Sequence, residues 1–237
     1  MPELILTVDT ATTAGSVAVS RGELLLGEIV LQTPANHTDR LLLTIRQLLA
    51  DLGLTIAEFD ALAVVRGPGS FTGLRVGMAT VKGLALAIDR PVVAVSSLQA
   101  LALQAPLPRH PVCALIDARK KEVYAALYHW QGGMPNLLGE EAVLAPEKLL
   151  EQLAGEVLFL GNGALVYRTL IVRHLGARAH FLPWPLQLPR ASHAACLALS
   201  DLRSGRAVPL AQLAPCYIRP SEAELLFSTA SEGFIEG

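Results

Sequence analysis

The chain has 237 residues, of which 52% are hydrophobic and 17% charged, and its formal net charge is −2 at pH 7. This composition excludes an intrinsically disordered chain, and the lack of a basic excess excludes a protein that grips nucleic acid without a partner. The length accommodates one large domain or two of about 100–120 residues. So much apolar side chain with so few charges to cover it predicts a surface shared with another chain.

Targeting and redox features predict a cytoplasmic protein. Residues 1–3 show no basic region or signal-peptide pattern. The longest uncharged run, residues 91–108, includes serine, glutamine and proline, which favours a buried strand and a short helix over a bilayer span. The three cysteines are widely separated and form no CxxC pair, so we expect neither a disulfide framework nor a cysteine-bound zinc. No membrane partner is expected.

Hydrophobic patterning predicts the elements of the first half in chain order. A glycine turn at residues 21–23 joins two of the opening strands, and capping residue types at residues 36–39 precede the first helix, for which Gly53 is the stop signal. The predicted strands cover residues 4–8, 16–20, 24–31, 61–65 and 92–95, and the predicted helices cover residues 40–52, 74–88 and 98–104.

Prolines at positions 106, 108 and 111 mark a boundary, after which the pattern restarts. The predicted strands here cover residues 112–116, 123–130, 137–144 and 157–160, and the predicted helices cover residues 146–153, 164–175 and 191–202. The order strand-strand-strand-helix-strand-helix thus occurs twice, which is typical of the duplicated βββαβα fold of the actin–hexokinase architecture. We expect an α/β protein with subdomains at residues 1–105 and 106–237. The last helix is expected to pack back on the first subdomain.

Two strand ends are candidates for binding a nucleotide or RNA. Asp9 and Thr10 end the first strand, where backbone N–H groups and hydroxyls suit a phosphate and its magnesium ion, although an ordinary polar turn has the same composition. Arg119 and Lys120 occupy the equivalent turn of the second half, where a solvated turn is the alternative. The GNG at residues 161–163 is a weaker signal of the same kind.

The loop at residues 67–73, with the sequence GPGSFTG, precedes a helix and so could present N–H groups to a phosphate. It lacks the Gly-Lys-Ser/Thr of a Walker A loop, and we favour a tight strand-to-helix connection. The helix after it is apolar nearly all round, since Arg75, Lys82 and Asp89 form one narrow polar line. Burial within its own domain and contact with a partner chain both account for that pattern.

Sequence motifs for a catalytic or metal centre are lacking. The six histidines are never three or four residues apart, so no helical pair of metal ligands is formed. No serine lies in a GxSxG turn and no cysteine in a nucleophile motif. We therefore predict no catalytic residue and no metal ligand.

Several segments together resemble the TsaB (YeaZ) family. They are residues 5–12, 36–42, 66–77, 82–85 and 96–98, then 117–119 with 122–124, and the tail 215–220. The match is strong over roughly the first 125 residues, and the run GPGSFTGLR with the downstream KGLA is its most specific part. Residues 126–210 match the family only in layout.

The resemblance implies an actin–hexokinase fold and a role in making N6-threonylcarbamoyladenosine at position 37 of tRNAs that read codons beginning with A. In this family the transferase chemistry belongs to a paralogous subunit, TsaD, and an ATPase, TsaE, joins the complex. Expected partners are therefore a TsaD-like subunit, a TsaE-like ATPase, tRNA through the complex and, for the chain alone, a second copy. No cofactor of its own is expected, with ATP or ADP as a candidate at the complex interface.

One comparison within this resemblance separates the two paralogues. TsaD-like sequences carry a metal-binding His-x-x-x-His after the strand that corresponds to residues 92–95, whereas this chain has Ser97 and Leu101 there. The resemblance thus implies the non-catalytic partner rather than an enzyme. An independent ATPase or kinase of the same fold is the alternative, and a metallopeptidase is a third class that would require a bound metal.

The family pairs through its two N-domain helices, which here are the helices over residues 40–52 and 74–88. The expected interface comprises Arg40, Leu41, Thr44, Ile45, Leu48, Arg75, Met78, Ala79, Lys82, Gly83 and Leu86. Arg75 and Lys82 would add pairing specificity at the rim.

Overall fold

The structure is a computed structural model, which describes residues 1–33 and 37–219. In that part of the chain, the first sheet is built from β1 (Leu4–Asp9), β2 (Ala14–Arg21), β3 (Leu24–Gln32), β4 (Ala61–Gly67) and β5 (Val92–Ser96). Its strand order is β3-β2-β1-β4-β5. Every residue of β1 is buried because this strand lies at the centre of the sheet, whereas the edge strand β3 is partly exposed along its whole length.

The second sheet repeats this arrangement. Its strands are β6 (Val112–Asp117), β7 (Val123–Gln131), β8 (Met134–Leu144), β9 (Val157–Leu160) and β10 (Ala179–Phe181). Their order is β10-β9-β6-β7-β8, in which β6 takes the central place that β1 has in the first sheet. In both sheets the first three strands are antiparallel neighbours and the last two run parallel to the central strand or to each other. The predicted duplicated α/β fold is confirmed.

Helices cover both sheets. They are α1 (His37–Leu52), α2 (Phe71–Ile88), α3 (Ser97–Ala102), α4 (Pro146–Gln152), α5 (Asn162–Val166), α6 (Arg168–Leu175) and α7 (Ala191–Arg203). One apolar core joins α1 and α2 to the first sheet, and a second joins α7 to its opposite face. α4, α5 and α6 cover one face of the second sheet, and α3 covers the other. α3 and α7 therefore form a middle layer between the halves.

The last helix, α7, follows the second half but packs against β1, β2, β4 and β5 of the first. Its N-terminus is held by side chains of the first sheet. Ser16 Oγ accepts a hydrogen bond from the backbone N–H of Ala191 at 2.9 Å, and Glu28 Oε1 accepts one from Ser192 at 2.9 Å. Glu28 also pairs with Arg190 at 2.8 Å. α7 therefore packs on the sheet formed by the first half of the chain, although it follows the second half in sequence.

The structure corrects the sequence predictions at several places. The single helix predicted over residues 164–175 is two helices, α5 and α6, which meet at Tyr167 with φ −101° and ψ 14°. The short strand β10 was not predicted. α1 and α2 each begin three residues earlier than expected, at His37 and Phe71, so residues 37–39 of the predicted cap belong to the helix. Asn36 of the predicted cap and Pro220 of the tail motif lie outside the described residues.

Within the described residues, α2 is the one helix whose length and hydropathy would allow it to cross a membrane. Here it packs on the first sheet, with Leu74, Met78, Val81 and Ala85 in the apolar core. The core helix of a globular fold passes the same test, so this helix is weak evidence for a membrane span.

Candidate functional site

The glycine-rich loop before α2 is a tight connection, as the sequence favoured. A Cβ on Gly69 would lie 2.1 Å from the carbonyl oxygen of Ala11, and the backbone N–H of Ser70 donates to that same oxygen at 2.7 Å. Ser70 Oγ in turn accepts a hydrogen bond from the Gly73 N–H at 3.3 Å and caps the helix. Because only glycine fits this approach, the loop fastens the start of α2 to the turn after β1.

The inner side of α2 lies close to the first sheet. Its stripe Leu74, Met78, Val81 and Ala85 is buried, and a Cβ on Gly77 would lie 2.3 Å from Thr10 Oγ1. Gly77 therefore allows the helix to approach the end of β1. The helix ends at Ile88, and Asp89 follows as its C-cap with a left-handed φ of 51°.

The outer side of α2 is open. Ala79 and Gly83 are exposed, as is Leu86, which has 71% of its surface accessible. A Cβ on Gly83 would meet no atom of the described residues within 4 Å. Gly77 and Gly83 therefore have opposite surroundings. Packing within the described residues does not explain why the outer stripe of α2 is apolar.

The neighbouring helix α1 also exposes apolar side chains. Leu42 and Leu43 are 57% and 55% exposed. A groove of about 470 Å³ runs between the two helices, with Leu42, Arg46 and Ala50 on the side of α1 and Leu84 on that of α2. We call this set of exposed residues, Leu42 and Arg46 of α1 with Ala79, Gly83 and Leu86 of α2, the α1–α2 face. It is an apolar surface that carries a basic side chain.

The structure distributes the predicted interface residues over two environments. Arg40, Arg75, Ala79, Gly83 and Leu86 are exposed, and Thr44 and Lys82 are half-buried. Leu41, Ile45, Leu48 and Met78, however, are at most 5% exposed and belong to the core of this chain. Those four side chains support the helices from inside, so the surface available to a partner is formed by their neighbours, chiefly Leu42 and Leu86. Binding of a partner there stays a prediction.

A second candidate site is the cleft between the halves, a cavity of about 650 Å³. The turn after β1, the start of α2 and the turn after β6 form its walls. Arg119 and Lys120 line it, as does Asn162 of the GNG. Both basic residues have left-handed backbone, with φ of 60° and 53°, and Asp117 Oδ1 accepts a hydrogen bond from the Arg119 N–H at 3.0 Å. Two basic residues therefore line the cleft, and contact with a nucleotide or RNA there stays a prediction.

Asp9 and Thr10 lie behind the wall of this cleft, and their side chains do not line it. Asp9 Oδ1 accepts a hydrogen bond from the Ala11 N–H at 2.9 Å, and Thr10 Oγ1 donates to the Gly73 carbonyl at 2.7 Å. Burial raises the pKa of Asp9 to about 6, and its Oδ2 has no hydrogen-bond partner among residues 1–33 and 37–219. In this conformation both residues hold the backbone of the cleft wall, while Thr12 and Thr13 face the cavity.

The end of the described chain completes the cleft, which sequence reasoning missed. Tyr217 stacks on Phe71 with ring centroids 4.8 Å apart, and its hydroxyl accepts a hydrogen bond from Arg75 Nε at 2.9 Å. Arg219 donates to the carbonyl of Ala118 at 2.9 Å and pairs with Glu122. The tail motif at residues 215–220 was the available signal. Arg75, expected at a partner interface, is therefore part of the cleft wall.

Comparison with known proteins identifies the family. A family model described as "TsaD: tRNA N6-adenosine threonylcarbamoyltransferase" matches residues 30–227. The chain is 34% identical to the "tRNA threonylcarbamoyladenosine biosynthesis protein TsaB" of Escherichia coli and 29% identical to that of Bacillus subtilis. The alignments cover 92% and 93% of this chain and 96% of each relative. The chain belongs to the TsaB family.

Solved structures agree with the TsaB assignment. The structure titled "YeaZ from Pseudomonas aeruginosa" matches with a TM-score of 0.76 and 35% identity, over 91% of this chain and 99% of that one. Component A of the (R)-2-hydroxyglutaryl-CoA dehydratase of Acidaminococcus fermentans matches with a TM-score of 0.50 and 12% identity, over 85% and 99%. The second likeness shows the fold alone, which is the actin–hexokinase architecture expected of a TsaB-like chain.

Proposed function

We propose that this chain is a non-catalytic subunit of the complex that makes N6-threonylcarbamoyladenosine at position 37 of tRNAs reading codons that begin with A. It binds a TsaD-like catalytic subunit through the α1–α2 face, in an assembly that includes a TsaE-like ATPase and the tRNA. The curated relatives support the pathway, since their names assign them to threonylcarbamoyladenosine biosynthesis. In this proposal, the chain alone pairs with a second copy through the same face.

The single observation that carries the proposal is the apolar outer stripe of α2. Leu86 is 71% exposed and Gly83 has open space beyond its Cα. Glycine costs about 1 kcal/mol relative to alanine inside a helix. A helix that keeps such a residue on an open, apolar side is well suited to close approach by a partner helix, and burial of this side would offset the cost.

A second observation supports the non-catalytic role. At the positions where TsaD-like sequences carry their two histidines, this chain has Ser97 and Leu101, at the start and the end of α3. Ser97 is buried and its hydroxyl donates to the carbonyl of Pro68, while Leu101 has no exposed surface. Neither side chain supplies an imidazole to a metal ion.

The interface test compares Gly83→Arg with Val172→Arg. Val172 is 45% exposed on α6 of the other half, so it controls for an added charge on an apolar surface position. We expect Gly83→Arg to weaken binding of the TsaD-like subunit by about 100-fold or more, because an unpaired charge would be buried at the interface. Titration calorimetry measures the affinity, and thermal unfolding of each variant checks that the chain is folded.

Equal affinity for the TsaD-like subunit in the wild type and in folded Gly83→Arg would refute the proposed interface. A broader test is reconstitution of tRNA modification with and without this chain. Modification that proceeds equally in its absence would refute the subunit role itself.

The basic lining of the cleft favours a second candidate, an independent nucleotide-binding ATPase or kinase. Arg75, Arg119, Lys120 and Arg219 all line this cavity, and basic groups at strand ends suit a phosphate. ATP hydrolysis by the isolated chain with magnesium discriminates the two functions. Robust turnover would favour the enzyme, whereas nucleotide binding only in the TsaD-containing complex would agree with ATP or ADP at the shared interface.

A further inference from the structure

Three side chains that could bind a metal meet at one edge of the second sheet. His110 lies two residues before β6, Glu156 directly precedes β9, and His180 is the middle residue of β10. These strands are parallel neighbours, and the register pairs Leu158 with Val112 on one side and with His180 on the other. Since side chains alternate along a strand, His110, Glu156 and His180 all fall on the face that α3 covers.

The polar atoms of this cluster converge on one point. Glu156 Oε2 lies 2.7 Å from His180 Nε2 and 3.4 Å from His110 Nε2. The imidazole rings are stacked, with centroids 4.9 Å apart and planes inclined by 8°. One ligand atom from each residue lies within 4.8 Å of the other two.

The backbone around the cluster is held by the sheet. Leu158 N donates to the carbonyl of Pro111 at 2.9 Å, which continues the pairing of β9 with the residues before β6. On the other side, His180 is paired with Leu158 within the ladder of β9 and β10. His180 thus projects from β10, while His110 and Glu156 project from the segments that lead directly into the paired strands β6 and β9.

We propose that His110, Glu156 and His180 form a binding site for a divalent transition-metal ion, which their ligand chemistry assigns to zinc. Two imidazoles and one carboxylate are a donor set that zinc accepts, with water as a fourth ligand. The side chains of the three residues are 34%, 51% and 41% exposed, which leaves room for that water.

The separations are compatible with small side-chain adjustments. Ligand atoms around a tetrahedral zinc ion with bonds of about 2.0–2.1 Å lie roughly 3.3 Å apart. The His110–Glu156 separation of 3.4 Å already meets this value. His180 and Glu156 must move apart from their hydrogen-bonded 2.7 Å, and the two nearly parallel imidazole rings must turn so that both Nε2 lone pairs point at the ion. Partly exposed side chains can make these rotations without moving the strands.

Binding of a metal ion would hold the short edge strand β10 in place through coordination bonds to all three residues. β10 has three residues and lies at the edge of its sheet. A metal ion would fasten this strand to the ends of β9 and β6, and so would stabilise the second half selectively. We therefore expect zinc to protect β10 from local opening.

The experiment titrates the full-length protein with zinc chloride after treatment with EDTA. Equilibrium dialysis with elemental analysis gives the zinc content, and thermal unfolding gives the midpoint. We expect the wild type to bind about one equivalent through this site, and its unfolding midpoint to rise by roughly 5 °C when free zinc is about 100-fold above Kd. His110→Gln, Glu156→Gln and His180→Gln should each weaken binding about 10-fold or more.

His174→Gln is the matched control, since His174 is exposed on α6 and lies outside the cluster. Unfolding in EDTA shows whether each variant keeps the wild-type stability without metal. Cobalt absorption separates this site from a cysteine site, because a thiolate such as that of Cys196 adds a sulfur charge-transfer band. Zinc uptake and midpoint shifts that are the same in the wild type and in all three cluster variants would overturn the proposal.

Discussion

Asp9 ends the central strand of the first sheet with a fully buried carboxyl group. Burial, opposed by the hydrogen bond from Ala11 and reinforced by the charge of Glu28, raises the pKa of Asp9 to about 6 from its usual 3.8. A group with a raised folded-state pKa stabilises the fold below its unfolded pKa, and that contribution is lost as pH rises through the folded-state value. The free energy of unfolding should therefore fall as the pH rises from about 4 to about 6.

Replacement of Asp9 by Asn tests this linkage. Between pH 5 and pH 7.5 the wild type should lose about 1–2 kcal/mol of unfolding free energy relative to Asp9→Asn, because only the wild type must ionise a buried carboxyl group. Denaturant unfolding of both proteins at the two pH values measures the difference. Parallel pH profiles would show that Asp9 has an ordinary pKa in the folded protein.

At the scale of a single element, α2 offers two glycines with opposite surroundings. Gly77→Ala should destabilise the protein by about 1–3 kcal/mol, since the new methyl group would overlap Thr10 Oγ1. Gly83→Ala should be neutral or stabilise by up to about 1 kcal/mol, because its side is open and alanine favours the helix. Chemical denaturation of the two variants provides the comparison.

The double variant Thr10→Ala/Gly77→Ala tests whether the loss of stability comes from overlap with the Thr10 side chain or from a general effect of the substitution on α2. If the overlap with Thr10 causes the loss, the cost of Gly77→Ala falls when Thr10 lacks its hydroxyl group. An unchanged cost in that background would assign the loss to another contact. Equal effects of Gly77→Ala and Gly83→Ala would contradict the inward and outward assignment of the two glycines.

At the scale of the whole molecule, Glu28 connects α7 to the first sheet. Its side chain is 4% exposed and binds both Arg190 and the N–H of Ser192 at the start of the helix. We expect Glu28→Gln to cost about 1–3 kcal/mol, since it removes a buried charge that pairs with Arg190 and favours the helix N-terminus.

Glu23→Gln is the control for this prediction. Glu23 also pairs with an arginine, Arg203, but its side chain is 86% exposed, so we expect a change below about 0.5 kcal/mol. Thermal and denaturant unfolding of the two variants gives the contrast. Similar stability of both variants and the wild type would mean that the contact between Glu28 and α7 adds little to the fold.

Much of the fold was predictable because its elements have strong local signals. The apolar runs at β1 and β6, the turn at Gly22 and the stop at Gly53 identify elements and their order. The break at Tyr167 and the strand β10 were missed, since three half-buried residues such as those of β10 give too short a pattern to recognise.

The candidate sites were predictable to different degrees. The sequence shows that α2 is apolar nearly all round, and it places Arg119 and Lys120 at a strand end. It does not show that Leu41, Ile45 and Leu48 face inward while Leu42 and Leu86 stay exposed, because periodicity reveals a stripe but not what covers it. The role of Tyr217 in the cleft depends on contacts with residues far away in the chain.

By itself, the sequence determined the kinds of elements, their order, the duplicated fold and the family resemblance, because these depend on residues close together in the chain. Tertiary structure decided which apolar stripe is buried, how Glu28 caps α7, and where His110, Glu156 and His180 meet. The sequence prediction of no metal ligand relied on helical spacing, whereas His180 lies on β10, and His110 and Glu156 lie just before the parallel strands β6 and β9. Only strand register brings such distant residues onto one face of the same sheet.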